Sequence, residues 1–561
     1  MRLLLILILL PFFGIAQSVN ELIITEIMAD PTPTRGLPEK EYIELYNRTD
    51  RAISLARVKL QIGTTTQTFS NYIIQPKEYV VLCEKVDEAT FSKFGKTLVI
   101  SNFTLNNTGT TIALRNDRNQ TIFSVSYTDK WYDSKRNGGY SLEMIDTNFP
   151  CVEEANWTSS ENSQGGTPAK ENSVKANKPD LTPPSLLRFE QPNLTTIKLI
   201  FSEKLDSVSA VSRLAYGISN GLSVSQIAIE SPVNKNVNLI LNQALQDNTI
   251  YQLNLKNIAD CSGNILRDAS ILLGNVKSAD SSDVVLNEVL FDPLPDGVDY
   301  VEVYNRSNKI LSLKDWSLAN IDKAGKVASI RKITTDNFIL KPKQFLVLTS
   351  NVQVVENQYF KAVKENFLEM ASLPSYPDDS GTVILLNDKQ KVWDRFDYKA
   401  TMHHPLLDDK RGVSLEKRDS NKPSNDSQNW YSAASSEGYG TPGYVNSQGI
   451  QDNSESNSVF RIEPEIFTPE GDGFNESTKL IYNFEESGNV LNINIFDING
   501  RLVRQLAQNY IAGFSGSIEW DGRGDSLGTL PVGYYIFLVD VFNPNGKRQT
   551  AKLKVVVGSR Y

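Results

Sequence analysis

The chain is poor in the residues that most hydrolytic and redox chemistry relies on. Its 561 residues hold two histidines, adjacent as His403 and His404 in "YKATMHHPLL". A histidine acting as base or metal ligand needs partners fixed around it. The corresponding earlier stretch, "YTDKWYDSK", has no histidine, so a Ser-His-Asp triad lacks its base. Phosphate-loop, dinucleotide and zinc spacings are missing. Cysteine is equally scarce, with Cys83, Cys151 and Cys261. An odd count allows at most one internal disulfide. Cys83, inside "EYVVLCEKV", reads as a buried strand thiol, which leaves Cys151 and Cys261, both in turn-rich segments, as the candidate bridge. No basic tract offers a nucleic-acid footprint, and the net charge of −9 reads as solubility. Helical periodicity sustained over three turns is hard to find. Beyond the N-terminus no apolar run approaches the roughly 20 residues that a bilayer span requires.

What is present begins with "MRLLLILILLPFFGIAQS". One arginine, an apolar run from Leu3 to Ile15, and Gly14 and Ala16 before Gln17 match a secretory leader over residues 1–16. The length then calls for several domains, at roughly 100 to 200 residues each.

The chain also repeats itself. "EYIELYNR" (41–48) returns as "DYVEVYNR" (299–306), and "ITEIMADPTP" (24–33) as "LNEVLFDPLP" (286–295). "SLARVKL" (54–60) meets "SLKDWSL" (312–318), and "SLEMIDTNFP" (141–150) meets "SLEKRDSNKP" (414–423). Trp157 matches Trp430, and "GGTPAKENS" (165–173) answers "GYGTPGYVNS" (438–447). Matches kept in this order mean that one domain is present twice, over 22–173 and 283–447. Both copies alternate short β-rich runs with Gly, Asn, Asp and Pro clusters, the pattern of a sandwich.

Between the copies, over 178–275, Ile197, Leu199 and Phe201 alternate with polar residues, as do Val237, Leu239 and Leu241, and Tyr251, Leu253 and Leu255. These read as half-buried strands of a third sandwich. Residues 448–458 are apolar-poor and read as a linker. In the last segment, 459–561, Asn499-Gly500 between two alternating runs marks a hairpin. The expected fold class is therefore all-β, with four consecutive Ig-like β-sandwich domains joined by short linkers.

The pattern of "EYIELYNR" closing with "SLE", Trp157 and "GTP" resembles the lamin tail domain of secreted bacterial proteins, which implies an Ig-like sandwich. The middle segment, with "FSEKLD" and "DCSGN", is similar to Ig-like domains of bacterial surface-layer and adhesin chains. "FTPEGDGFNE", "FDINGRLVRQL" and "LPVGYYIFLV" resemble the Ig-like domain of flagellar hook-capping proteins, and also the C-terminal sorting domains read by type IX secretion. That resemblance implies the secretion machinery as a partner.

The candidate chemistry rests on carboxylates. In simple alternation Leu22, Ile24, Glu26 and Met28 share a face, as do Val284, Leu286, Glu288 and Leu290. A buried carboxylate must be paired or hydrogen-bonded. Arg48 and Arg306, which end the repeated octets, are the expected partners of Glu26 and Glu288 in a structural network, preferred to a catalytic acid. Calcium is an alternative at Asp30 with Glu44, or at Asp472, Asn475 and Glu476. Trp157, Trp430 and Trp520 read as core plugs.

With every region claimed by a β module, the expected function is a non-catalytic secreted or cell-surface protein, structural, adhesive or binding in role. It is not expected to be an enzyme, to have catalytic or metal-ligating residues, or to require a cofactor. Two alternatives remain: an accessory protein binding extracellular polysaccharide or DNA alongside secreted hydrolases, or a carboxylate- or metal-dependent extracellular hydrolase. Other surface proteins are further possible partners.

Overall fold

The computed structural model describes residues 18–559 apart from 102, 451–458, 527 and 544. The leader and most of the 448–458 linker lie outside the described residues. The described chain is β throughout, and its longest helix among the described residues is Val352–Gln358. Among the described residues no helix is long and apolar enough to cross a membrane. Two compact bodies form: one runs to Leu273, and the other starts at Gly274 and also takes in 246–249.

In the first body, the first copy stacks two sheets. One has the order Trp157–Ser159, Leu142–Met144, Leu22–Met28, Tyr42–Asn47, Tyr79–Glu84 and Thr97–Ile100. The other has the order Thr121–Thr128, Gly109–Arg115, Lys59–Ile62 and Thr65–Thr68. Leu22, Ile24, Ile27, Ile43, Leu45, Ile112, Leu114 and Trp157 fill the space between them. The middle sandwich follows, and its Thr196–Phe201 strand buries every second residue, Ile197, Leu199 and Phe201. Tyr251, Leu253 and Leu255 close the same core from the facing sheet.

These two sandwiches are fastened together. Cys151 and Cys261 are bridged, with Cα atoms 6.1 Å apart. Glu153 meets Lys235 at 2.7 Å and Lys204 at 3.4 Å. Burial pushes the Glu153 carboxyl up, but the two ammonium groups outweigh it and hold it below the usual range. Ser231 bonds Arg115 and Thr121, and the Ser124 hydroxyl donates to the Pro232 carbonyl.

In the second body, the second copy repeats the six-strand order element for element, from Trp430–Ser432 through Leu415–Lys417, Val284–Leu290, Tyr300–Asn305 and Phe345–Thr349 to Phe367–Glu369. The C-terminal sandwich packs a three-stranded sheet on a five-stranded one. Its Val490–Asp497 and Leu502–Ile511 strands pair as the Asn499-Gly500 hairpin, with Gly500 at φ +79°, a left-handed conformation suited to glycine. Gln448, read from the sequence as the first linker residue, is fully buried. Its amide donates to the Ser432 and Ala512 carbonyls and accepts from the Gly488 N–H, tying the second copy to the last sandwich.

One expectation about strand faces is corrected. A β-bulge lies between Ile24 and Glu26, and another between Leu286 and Glu288. The extra residue reverses the alternation. Ile24 and Ile27 therefore share the inter-sheet core, while Met28 turns to a cluster on the outer face with Tyr42, Val81 and Phe91. Glu26, which bonds Tyr42, turns outward with Met28. It does not sit in an otherwise apolar core row.

Candidate functional site: two sealed carboxylate triads

The register brings three glutamates side by side in each copy. Glu26 lies opposite Glu44 on one neighbouring strand and opposite Glu143 on the other. Glu288 likewise lies opposite Glu302 and Glu416. All six are 0 % exposed. The segment that follows the last strand, the "GTP" stretch, crosses over them as a strap and supplies their donors.

The bonding repeats atom for atom. Glu26 Oε1 accepts from the Tyr42 hydroxyl at 2.6 Å, the Ser141 hydroxyl at 2.5 Å and the Thr167 N–H at 2.7 Å. Glu288 Oε1 accepts from Tyr300 at 2.6 Å, Ser414 at 2.5 Å and the Thr441 N–H at 2.9 Å. The Thr167 hydroxyl bridges Glu26 Oε2 and Glu143 Oε1 at 3.5 and 2.9 Å, and Thr441 bridges Glu288 and Glu416 at 3.1 and 2.8 Å. Glu44 accepts from Thr25 and the Ala169 N–H, and Glu302 from Asn287 and the Gly443 N–H. Ser173 and the Val174 N–H close Glu143, as Ser447 and the Gln448 N–H close Glu416. Gly166 lets the strap pass this close, since a Cβ there would stand 2.4 Å from the Tyr42 hydroxyl and 2.7 Å from Glu26 Oε1.

Among the described residues no cation enters either triad, so the expected arginine pairing is corrected. Arg48 donates to the Asn20 and Asn148 carbonyls, and Arg306 to the Ser282 and Ser420 carbonyls and the Asn421 amide oxygen. Each guanidinium ties loop backbone at the end of its strand. The acids are satisfied by neutral donors, and burial then pushes their carboxyls up. Glu26 rises to about 7, through burial first and the Glu143 charge second. Glu416 rises to about 8, through burial and Glu288. Glu44 and Glu302 are pushed well above the carboxylate range for the same two reasons, and Glu288 is raised by its burial. Protonated Glu26 can donate from Oε2 to the Thr167 hydroxyl, which itself donates to Glu143.

The other candidates disperse. Asp30 accepts from the Thr32 N–H and hydroxyl and closes a turn, while Glu44 is held in the triad. Asp472 accepts from the Phe474 N–H, and Glu476 from the Gly471 and Gly473 N–H groups. His403 is buried, bonded to Ser432 through Nδ1 at 3.1 Å, and pushed down to about 4 by burial and then by Lys410. Trp157, Trp430 and Trp520 are core residues, and Cys83 is a buried free thiol. Sequence reasoning missed Asp180, Glu203 and Asp260, whose carboxylate oxygens lie within 4.8 Å of one another in the middle sandwich. Burial first, then the other two acids, raises Glu203 to about 7.

Residues 15–129 and 277–400 each match the sequence model of the family described as Lamin Tail Domain, one match per copy. Both matches stop before the strands that carry Glu143 and Glu416. No curated protein matches the chain. Among solved structures, the chain is similar to the S-layer protein SbsC at 12% identity, covering 67% of this chain and 54% of that one, with a TM-score of 0.16. It is similar to PorZ, a surface component of the type IX secretion system of Porphyromonas gingivalis, at 11% identity over 80% and 56%, with a TM-score of 0.16. It is also similar to a Ca2+-stabilised ice-binding adhesin of an Antarctic bacterium at 7% identity over 97% and 100%, with a TM-score of 0.12. The chain thus spans about half the length of the S-layer structure, and at these scores the likenesses carry no argument.

Proposed function

We propose that the protein is a non-catalytic secreted or cell-surface chain whose sandwiches present binding faces or act as spacers, exported through its N-terminal leader and C-terminal domain. The observation that supports this most is the sealing of the triads. The densest groupings of acids in the two repeated domains are 0 % exposed and bonded on every oxygen, so a substrate has no access to them. Catalytic acids have to reach the proton they transfer. The junctions within each body point the same way, because a disulfide and a buried glutamine hold neighbouring sandwiches as stiff pairs. A role in binding extracellular polymer is favoured within this reading by the cleft described below.

Peptide mass spectrometry of cell-surface and medium fractions tests the reading. A mature N-terminus at Gln17 and an exported form lacking residues after about 459 are expected. Retention of the protein inside the cell would refute it, and an intact C-terminal domain in both outer fractions would refute the sorting role.

A further inference from the structure

The second copy carries a cleft of ≈ 490 Å³ beside its smaller sheet, lined by Trp316, Trp393, Asn387, Lys314, Asp388 and Lys389 among others. Pockets of this size that combine an apolar wall with a few convergent polar groups are the usual form of small-ligand sites. The two indoles meet at 5.0 Å between ring centroids with their planes 62° apart. Trp393 is anchored by its N–H to the Val284 carbonyl at 3.2 Å. Trp316 is 4 % exposed, yet its indole N–H meets no acceptor among the described residues.

Comparison with the first copy shows what has changed. The hairpin registers place Trp393 where the first copy has Ile122, and Asn387 where it has Asn116. The repeat places Trp316 where it has Val58. Val58 and Ile122 are ordinary buried aliphatics. Asn116 is fully used: its oxygen accepts from the Arg118 and Gln120 N–H groups, and its amide nitrogen donates to the Gln120 side chain. Asn387 keeps the same turn through the Lys389 and Lys391 N–H groups. The position of Gln120 is now Lys391, which cannot accept, so the Asn387 amide nitrogen is left without an acceptor among the described residues. Asn387 is itself 9 % exposed. Two side-chain donors are thus unclaimed by the described residues in one cleft, and both are open to solvent, where a ligand oxygen can meet them.

The surrounding charges indicate what could fill them. Asp315 is tied to Lys332 and Lys277 to Asp247. Lys314, Lys389 and Asp388 make no ion pair among the described residues, which leaves an excess of positive charge at the rim. An apolar indole wall, two neutral donors and lysines suit a pyranose ring with hydroxyl acceptors and a carboxylate. A nucleic-acid strand would require open aromatic faces for successive bases, whereas Trp316 is buried and Trp393 alone is half-buried.

We propose that this cleft binds a carboxylate-bearing sugar unit of an extracellular polysaccharide, which deepens the polymer-binding form of the function proposed above. The Trp316 N–H and Asn387 amide would donate to sugar oxygens, the part of the half-buried Trp393 indole left open would meet the C–H face, and Lys314 and Lys389 would face the carboxylate. The test is calorimetric titration of the mature full chain with oligogalacturonate, a neutral cello-oligosaccharide and a thymidine oligonucleotide. Two variants accompany it: Trp393→Ile, which installs the first copy's residue, and Lys389→Glu, an exposed change outside the packing. Oligogalacturonate is expected to bind, with both variants weaker by about tenfold or more, the Lys389→Glu melting curve unchanged and the neutral sugar binding far more weakly. Failure of oligogalacturonate to bind at millimolar concentration would overturn the proposal, as would equal binding of the neutral sugar or oligonucleotide binding that depends on Lys389. Polysaccharide binding that survives both variants would overturn the site but leave the general binding role standing.

Discussion

Replacing Glu26 with glutamine should make the first copy less sensitive to pH without loosening it. Glu26 sits at an ordinary value of 4.5 when unfolded and about 7 when folded. Between those values the native state holds a proton that the unfolded chain has lost, so stability falls as pH rises. The stability is fully present below 4.5 and is lost as pH climbs through about 7. At about 1.4 kcal/mol per pH unit, the ionised native state is weaker by about 3 kcal/mol. Glutamine keeps an oxygen for Tyr42, Ser141 and the Thr167 N–H, and its NH2 can donate to the Thr167 hydroxyl where the protonated acid would. Glu26→Gln should therefore match the wild type near pH 5 and exceed it near pH 8, by up to about 3 kcal/mol. Glu26→Ala, which orphans three buried donors at about 1–3 kcal/mol each, should be destabilised at both values. Hydrogen exchange of the Leu22–Met28 amides from pH 5 to 8, corrected for the intrinsic rate, reads the local stability without assuming that the whole chain unfolds in one step. A Glu26→Gln protein with the wild-type pH slope, or one markedly less stable than wild type at pH 8, would refute the reasoning.

Two further outcomes follow from the junctions. The Cys151–Cys261 bridge closes a separation of 110 residues, so Cys151→Ser with Cys261→Ser should lower the stability of the first body by up to about 4–5 kcal/mol in the chain-entropy account. Urea unfolding should show that transition moving while the second body's stays in place, and an unmoved first transition would contradict the account. Gln448→Ala should orphan the Ala512 carbonyl and the Gly488 N–H, at about 1–3 kcal/mol each. Faster proteolytic cutting at residues 484–489 and 510–514 is the expected sign, and an unchanged digestion pattern would count against the junction.

The sandwiches were legible because alternation of two is a local property. Ile197, Leu199 and Phe201 in the middle domain, and the Asn499-Gly500 hairpin in the last, depend on neighbours a few residues away. The triads were only half legible. Glu26, Glu44, Glu143, Ser141, Thr167 and Ser173 all recur as Glu288, Glu302, Glu416, Ser414, Thr441 and Ser447 in the second copy, and polar residues repeated in and beside apolar strands are a signal of a shared buried network. Two things hid it. A bulge shifts the alternation by one residue and leaves no unambiguous mark in sequence. An acid among apolar residues also invites a cation as partner, whereas a carboxyl that keeps its proton is satisfied by hydroxyls and amides. Asp180, Glu203 and Asp260 were illegible for another reason, because residues far apart in sequence are brought together by strand order and no spacing rule joins them.

The two copies also show how a duplicated domain divides its residues between stability and role. Every donor to a triad oxygen is fixed by the acid it serves, because losing one leaves a buried charge or an unpaired oxygen. Side-chain donors accordingly keep the same residue type or another hydrogen-bond donor, as Thr25 and Asn287 do toward Glu44 and Glu302, while a position that donates through its backbone N–H leaves its side chain free to change. Positions beside the network are under no such constraint. Val174 in the first copy is Gln448 in the second, where its side chain reaches the last sandwich. Val58, Ile122 and Gln120 become Trp316, Trp393 and Lys391, and a filled wall becomes a cleft with unclaimed donors. In the first copy, residues next to that wall, Thr121 and Ser124, are taken up by the middle sandwich through Ser231 and Pro232. Identity between the copies therefore marks what holds each domain closed, and difference marks where each copy meets something else.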